Sequence, residues 1–140
     1  MGHSRVEVYI HYVWATHKKQ PLITPEFERS VYRCIQEQCE KLDCPVLALG
    51  GIEDHLHLAI KLNVNLPVWK VMHTVKGTSS AFVRDKLMKP GDFFGWQDGY
   101  GAFSFSPSHK EAVIEYILNQ KQHHADGKLW PEVEKLPDDE

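Results

Sequence analysis

Apolar residues along the chain follow the two-residue period of strands in some segments and the period of about 3.6 residues of helices in others. Runs rich in β-branched and aromatic residues, or with strict alternation, predict four strands: residues 6–14, 46–52, 55–62 and 100–106. Helical spacing predicts three helices: residues 25–42, 67–82 and 109 to about 124. The order β-α-β-β-α-β plus a helix predicts an α+β ferredoxin-like split βαβ sandwich, with a four-stranded antiparallel sheet and helices on one face.

Local signals mark the ends of several elements. Thr24-Pro25 combines a capping hydroxyl with proline at the first helical position, so the first helix is expected to begin there. Ser108 and Glu111 have the spacing of a capping box, which predicts the start of the last helix. Gly50-Gly51, near the end of the second strand, indicates a bend or the close approach of another backbone.

Two histidines flank a leucine on the third predicted strand. Because strand side chains alternate between faces, His55 and His57 share one face while Leu56 and Leu58 share the other. Two imidazoles two residues apart can chelate one metal ion. They can equally be exposed or packed histidines on an open sheet face, so the pair alone leaves both interpretations open.

The last predicted helix carries three further candidate residues on one side. Tyr116, Gln120 and His124 are four residues apart and therefore project in similar directions. Tyr116 can act as a nucleophile and Gln120 as an oxygen ligand. A core tyrosine and a solvated glutamine account for the same spacing without any chemistry.

Residues 88–99 form a predicted loop that is too apolar for a simple linker. Trp96, Gln97 and Tyr100 combine aromatic rings with an amide. Such a loop can stack nucleic-acid bases, as in single-strand binding proteins, or it can cap the end of the sheet. The sequence does not choose between the two.

Composition adds few constraints. The 140 residues are 42% hydrophobic and 25% charged, which is typical of one soluble domain, and we expect residues 1–130 to form it and residues 131–140 to form a loose acidic tail. The net charge is −3 and becomes +1 without that tail, so charge favours no partner. Cys34, Cys39 and Cys44 are expected to be reduced. No apolar run or leader indicates a membrane or export, so a cytoplasmic protein is expected.

Taken together, these residues resemble the HUH-type single-tyrosine transposases of hairpin-ended insertion sequences and their chromosomal relatives, the REP-associated tyrosine transposases. HUH denotes histidine, a bulky hydrophobe and histidine, here His55-Leu56-His57. The stretches that carry the resemblance, in family order, are residues 13–16, 50–57, 76–80, 96–97, 99–104, 116–120 and 123–124. They extend through nearly the whole chain.

The resemblance implies a role for each candidate residue. His55, His57 and Gln120 are expected to bind a divalent metal ion, and Tyr116 is expected to be the nucleophile. Magnesium prefers oxygen ligands, so a site with two histidines should accept Mg²⁺ or Mn²⁺. Attack by Tyr116 would leave a 5′-phosphotyrosine link and a free 3′ hydroxyl, which can rejoin strands without ATP.

The resemblance also implies partners. The expected substrate is single-stranded DNA with a hairpin, and the expected assembly is a homodimer in which Tyr116 of one subunit serves the histidines of the other. The expected DNA-binding residues are Lys18, Lys19, Lys76, Trp96, Gln97 and Tyr100.

Two alternative functions compete with a transposase. A domesticated copy could bind single-stranded nucleic acid without catalysis through its open ferredoxin-like sheet. Such a protein needs none of the set formed by Tyr116, the histidine pair and Gln120. A small metal-dependent phosphodiesterase could use activated water instead, and Tyr116 would then be dispensable.

Overall fold

The structure, a computed structural model, describes residues 2–136. Its strands are β1 (Tyr9–Ala15), β2 (Val46–Ile52), β3 (His55–Lys61) and β4 (Gly101–Phe105). Its α-helices are α1 (Pro25–Lys41), α2 (Val68–Phe82), α3 (Lys110–Leu118), α4 (Gln120–Asp126) and α5 (Pro131–Glu134). None of the helices within residues 2–136 is long and apolar enough to cross a membrane.

The strands form one antiparallel sheet in the order β2-β3-β1-β4. β3 and β1 are the central strands, and His57 of β3 pairs with Val13 of β1 in the middle of the sheet. Together with the β-α-β-β-α-β connectivity, this order confirms the predicted ferredoxin-like fold.

α1 and α2 cover the apolar face of the sheet. Leu56, Leu58 and Ile60 of β3 are completely buried on this face, and Ile35 of α1 and Val75 of α2 pack in the same cluster. Each fully buried aliphatic side chain contributes about 1.5–3 kcal/mol relative to an exposed one. Most of the hydrophobic stabilisation therefore lies between the sheet and these two helices.

α3 packs on the opposite face, directly over the backbone of β2. A Cβ atom on Gly50 would overlap the carbonyl oxygen of Ile117, so only glycine allows the helix to lie so close. Val113 and Ile117 of α3 are buried against Ala48 and Ala59 of the sheet. The close backbone approach predicted at Gly50 is confirmed.

The last predicted helix is divided in two. α3 ends at Leu118 and α4 begins at Gln120, because the backbone of Asn119 leaves the helical region (φ −107°, ψ 27°). The carbonyl of Glu115 accepts both the backbone N–H of Asn119 at 3.1 Å and its side-chain amide at 2.9 Å. Tyr116 and Gln120 consequently lie on either side of the break.

The two predicted side-chain caps do not form. Thr24 is the N-cap of α1, but its hydroxyl makes no capping hydrogen bond, and its carbonyl accepts the N–H groups of Phe27 and Glu28. Ser108 lies in a 3-10 turn before α3, where its hydroxyl contacts that of Ser106 at 2.8 Å. Pro25 occupies the first turn of α1, and Pro107 begins the 3-10 turn that leads into α3.

The expectation of a loose tail after Trp130 is wrong for residues 131–136. α5 forms there, and Val133 and Leu136 are buried beside Val13 and Tyr116. Two apolar side chains three residues apart give the segment an apolar stripe that packs on the sheet, although the residues around them are acidic. Residues 137–140, the remainder of the predicted tail, lie outside the described residues.

Candidate active site

The histidine pair lies on the sheet face that α3, α4 and α5 cover. His57 is fully buried, and the side chain of His55 is 12% exposed. The centroids of the two rings are 5.1 Å apart. Strand alternation places both rings opposite Leu56 and Leu58, so one strand supplies the core with one face and this site with the other.

Two carboxylates contact the histidines. Asp54 Oδ1 lies 2.8 Å from His55 Nδ1. Glu134 Oε1 lies 3.2 Å from His55 Nε2 and 3.2 Å from His57 Nε2. One oxygen atom of Glu134 therefore contacts the Nε2 atoms of both histidines.

These contacts shift the pKa values of the site. Burial lowers the pKa of His55, but hydrogen bonds with Asp54 and Glu134 outweigh it and raise the pKa to about 9. Burial raises the pKa of Glu134, but hydrogen bonds from His55 and His57 outweigh it and hold the pKa below its usual range. Burial lowers the pKa of His57. In the metal-free protein the site thus combines a charged His55 with ionised Asp54 and Glu134.

Tyr116 of α3 lies beside the histidine pair of its own chain. Its ring centroid is 5.8 Å from that of His57, and its hydroxyl donates a hydrogen bond to Glu134 Oε2. The N–H of Trp130 donates to the same hydroxyl at 3.0 Å, and the two rings stack at 4.0 Å. Burial, together with the hydrogen bond to Glu134, raises the pKa of Tyr116 to about 12. The tyrosine is held by two partners and stays protonated near neutral pH.

Gln120 reaches the histidine pair through His124. Its Oε1 atom lies 3.1 Å from His124 Nε2, which lies 3.1 Å from His55 Nε2. Its amide N–H donates to the carbonyl of Tyr116 at 3.1 Å, and the side chain is buried. The structure therefore brings the three predicted ligands into one cluster, with His124 between Gln120 and His55.

His11 of β1 is a member of the site that sequence reasoning missed. Its Nε2 atom lies 2.8 Å from His57 Nδ1, and burial together with the adjacent His57 lowers the pKa of His11 to about 3. A neutral His11 can accept a hydrogen bond from the Nδ1–H group of His57, and in that tautomer the unprotonated Nε2 of His57 can bind a metal ion. The sequence signal for His11 is its position two residues before Val13, which places it on the strand face that pairs with His57.

Glu134 was missed because it lies in an acidic segment that was interpreted as a tail. The available signal was the apolar pair Val133 and Leu136 after the helix-starting Trp130-Pro131. The contact with His57 joins residues 77 positions apart, which no local pattern predicts.

Lys76 and the loop residues Trp96, Gln97 and Tyr100, which are predicted to bind DNA, make contacts within the fold. The Lys76 ammonium donates to the carbonyls of Gln97 at 2.7 Å and Gly99 at 3.0 Å. The Trp96 indole N–H donates to Ser79 Oγ at 2.9 Å, and its ring packs edge-on against that of Trp14. The backbone N–H of Gln97 donates to the carbonyl of Ala15, and the ring of Tyr100 lies 6.2 Å from that of Tyr12. The loop caps the sheet, the second of its two interpretations, and DNA contact by these residues remains a prediction.

Lys18 and Lys19 lie in an exposed 3-10 turn after β1. Both have left-handed backbone conformations, with φ of 53° and 54°. Lys19 lines a cleft of about 250 Å³ together with His55, His124 and Glu134. Positive charge is thus present at the entrance to the histidine site.

Comparison with known proteins relates this geometry to a family. The family model described as "Transposase IS200 like" matches residues 4–120. A candidate transposase from Deinococcus radiodurans R1 has a similar structure, with 20% identity, a TM-score of 0.65, and coverage of 86% of this chain and 98% of that chain. A REP-associated tyrosine transposase bound to a REP hairpin is 13% identical, with a TM-score of 0.62 and coverage of 94% and 81%. No curated protein matches in sequence.

Proposed function

The chain belongs to the family of IS200-like transposases, and we propose that it nicks and rejoins single-stranded DNA at hairpin-bearing sites through a 5′-phosphotyrosine intermediate. The observation that carries the proposal is the meeting of Tyr116 with the His55 and His57 pair in one buried site. A tyrosine, two imidazoles and an amide are the groups that metal-assisted tyrosine attack on a phosphodiester requires.

The donor atoms of the site fit a divalent metal ion. Two imidazole nitrogens with a carboxylate oxygen 3.2 Å from each are a set that Mn²⁺, Mg²⁺ and other divalent ions accept. His55, His57 and Gln120 are the proposed ligands, and His11 and Asp54 hold the far nitrogens of the two rings. The ion would polarise the scissile phosphate and offset the charge that develops there.

Tyr116 has the position and the hydrogen bonds of a nucleophile. Its oxygen forms a bond to phosphorus as the bond to the 3′ oxygen breaks, and the leaving strand ends in a 3′ hydroxyl after taking up a proton. The hydroxyl hydrogen of Tyr116 already points to Glu134 Oε2 in the resting protein. Trp130 stacks on the ring of Tyr116, and its N–H donates to the same hydroxyl oxygen.

Single-stranded DNA is the proposed substrate because a strand must bend freely to bring one phosphate into this small cleft. The REP hairpin bound to the structural relative supports a hairpin partner. Lys19, which lines the cleft, and the neighbouring exposed Lys18 are proposed to contact the phosphates.

The test is a covalent-adduct assay on the full chain. A pool of 3′-labelled single-stranded oligonucleotides, each with a hairpin and randomised flanks, is incubated with Mn²⁺ and separated under denaturing conditions. We expect a labelled protein–DNA band for wild type and none for Tyr116→Phe, which keeps the ring and loses the attacking oxygen. Cleavage by the phenylalanine variant would assign the nucleophile to water and favour a phosphodiesterase. DNA binding without cleavage by wild type would favour the non-catalytic alternative.

A homodimer with shared sites is a further part of the proposal. Within one chain, Tyr116 already contacts Glu134 and lies against His57. Mixing Tyr116→Phe with His57→Ala protein separates the arrangements, because only shared sites restore one complete set of residues in the heterodimer. Recovery of adduct formation indicates shared sites, and no recovery after verified subunit exchange indicates self-sufficient subunits.

A further inference from the structure

Packing contacts before, within and after the short helix α5 fix the position of Glu134 beside the histidine pair. Val133 and Leu136 are buried against the sheet, and Trp130 stacks on Tyr116 immediately before the helix begins. The carboxylate therefore does not depend on a flexible chain end for its position. Glu132, on the same helix, is exposed and lines a different cleft from the one at His55 and His124.

Two of the three imidazole nitrogens around Glu134 Oε1 lie at distances close to those between ligands of one cation. The oxygen lies 3.2 Å from Nε2 of His55, 3.2 Å from Nε2 of His57 and 3.8 Å from Nε2 of His124. His55, His124 and Glu134 can each offer a ligand atom within 4.8 Å of the others. Ligands about 2.1 Å from one ion are about 3.0 Å apart in octahedral geometry and about 3.4 Å apart in tetrahedral geometry.

The negative charge of the Glu134 carboxylate also favours a role as a metal ligand. His55, His57 and Gln120 are neutral when they bind a metal ion, so that set brings no negative charge to a divalent cation. Mg²⁺ and Mn²⁺ prefer oxygen ligands, and carboxylates above all. A carboxylate such as that of Glu134 supplies both the hard oxygen and the charge that the histidines and the amide lack.

We propose that Glu134 is a metal ligand in the DNA-free protein, which makes the C-terminal segment part of the metal site. The inference rests on the proposed metal-dependent function. Glu134 Oε1 binds the ion together with the histidine pair, while Oε2 accepts the hydroxyl hydrogen of Tyr116. One carboxylate thus joins the metal ion to the nucleophile.

Direct metal binding tests this assignment without any DNA or activity. Mn²⁺ affinity is measured by calorimetry and by the electron paramagnetic resonance of free Mn²⁺ for the full chain and three variants. Glu134→Gln keeps the size of the side chain and one acceptor oxygen but removes the charge, and it should lower Mn²⁺ affinity at least about tenfold. Glu132→Gln removes an equal charge from the same helix and should change the affinity less than about twofold. His57→Ala should abolish binding.

The outcomes separate this inference from the proposed function. Loss of binding in His57→Ala with unchanged binding in Glu134→Gln would overturn the role of Glu134 and leave the proposed metal site intact. Tighter binding by Glu134→Gln would show that the carboxylate competes with the ion, which also overturns the inference. Absence of Mn²⁺ binding by the wild-type chain would remove both. Circular dichroism spectra and melting curves of each variant confirm that the fold is retained.

Discussion

The two faces of the central sheet differ in what they bury, although the same strands form both. On one face, Leu56, Leu58 and Ile60 pack against α1 and α2 without polar contacts. On the other face, His57 is just as deeply buried, but each of its ring nitrogens has a partner, His11 or Glu134. Burial on the first face stabilises the fold directly, whereas burial on the second is tolerated because each polar atom is satisfied.

Because of this difference, substitutions at neighbouring positions of β3 should have different effects on stability and on metal binding. A truncation on the apolar face should lower the free energy of unfolding and leave the chemistry of the site unchanged in the folded fraction. A truncation on the polar face should act mainly on metal binding.

Leu58→Ala should lower the free energy of unfolding by about 2–5 kcal/mol, because it leaves a cavity between β3 and the two helices. Urea denaturation followed by circular dichroism measures the loss. Leu118→Ala is the matched control, because that leucine is 61% exposed, and it should change stability by less than about 0.5 kcal/mol. A loss below about 1 kcal/mol at Leu58 would contradict the assignment of the core to this face.

His57→Ala should remove the stabilisation that a bound metal ion provides. Mn²⁺ at about one hundred times its Kd should raise the unfolding free energy of wild type by about 2.7 kcal/mol, and EDTA should reverse the effect. The variant should show the same stability with either addition. His73→Ala, an exposed histidine on α2, should respond as wild type does. A response by the His57 variant equal to that of wild type would place the ion elsewhere.

His11→Leu should weaken Mn²⁺ binding by about 10–100-fold, because it removes the partner that orients His57 from behind. Calorimetric titration measures the change. His11→Gln restores a hydrogen-bonding group at this position and should recover part of the affinity. Equal affinities for wild type and the leucine variant would limit His11 to a packing role.

The smallest effect concerns pH and the apolar face. Burial raises the pKa of the Cys39 thiol to about 12, whereas the unfolded chain loses this proton near the ordinary value of 9.0. Between these values the unfolded state binds fewer protons than the folded state, so stability falls as pH rises. From pH 8 to pH 10 the thiol should account for a loss of about 1.4 kcal/mol. Cys39→Ala should lose less stability over this interval, and parallel pH profiles of the two proteins would contradict the prediction.

The elements and the placement of the histidine pair follow from the sequence because they depend on local periodicity. The alternation through Leu56 and Leu58 sets which face β3 buries, and the same alternation orients His55 and His57. The order of strands and helices then restricts the topology to the observed sheet.

The remaining features depend on contacts between distant segments. Glu134 and His11 join the site only after the chain folds, through contacts with His57 over 77 and 46 residues. The break at Asn119 and the unused hydroxyl of Thr24 reflect choices of hydrogen-bond partner for which the sequence offers several alternatives. The contact of Trp96 with Ser79 likewise joins separate elements of the folded chain, and no local pattern predicts it.

Gly50 has a consequence for which mutations the enzyme can tolerate. It bears no functional group, yet it pairs with His57 across the sheet and supports the α3 backbone at Ile117, one residue from Tyr116. Even a methyl group at Gly50 must lift the tyrosine helix away from the histidines. A screen for inactive variants should therefore identify Gly50 alongside Tyr116 and the histidine pair. Activity then depends on a residue that has no functional group of its own.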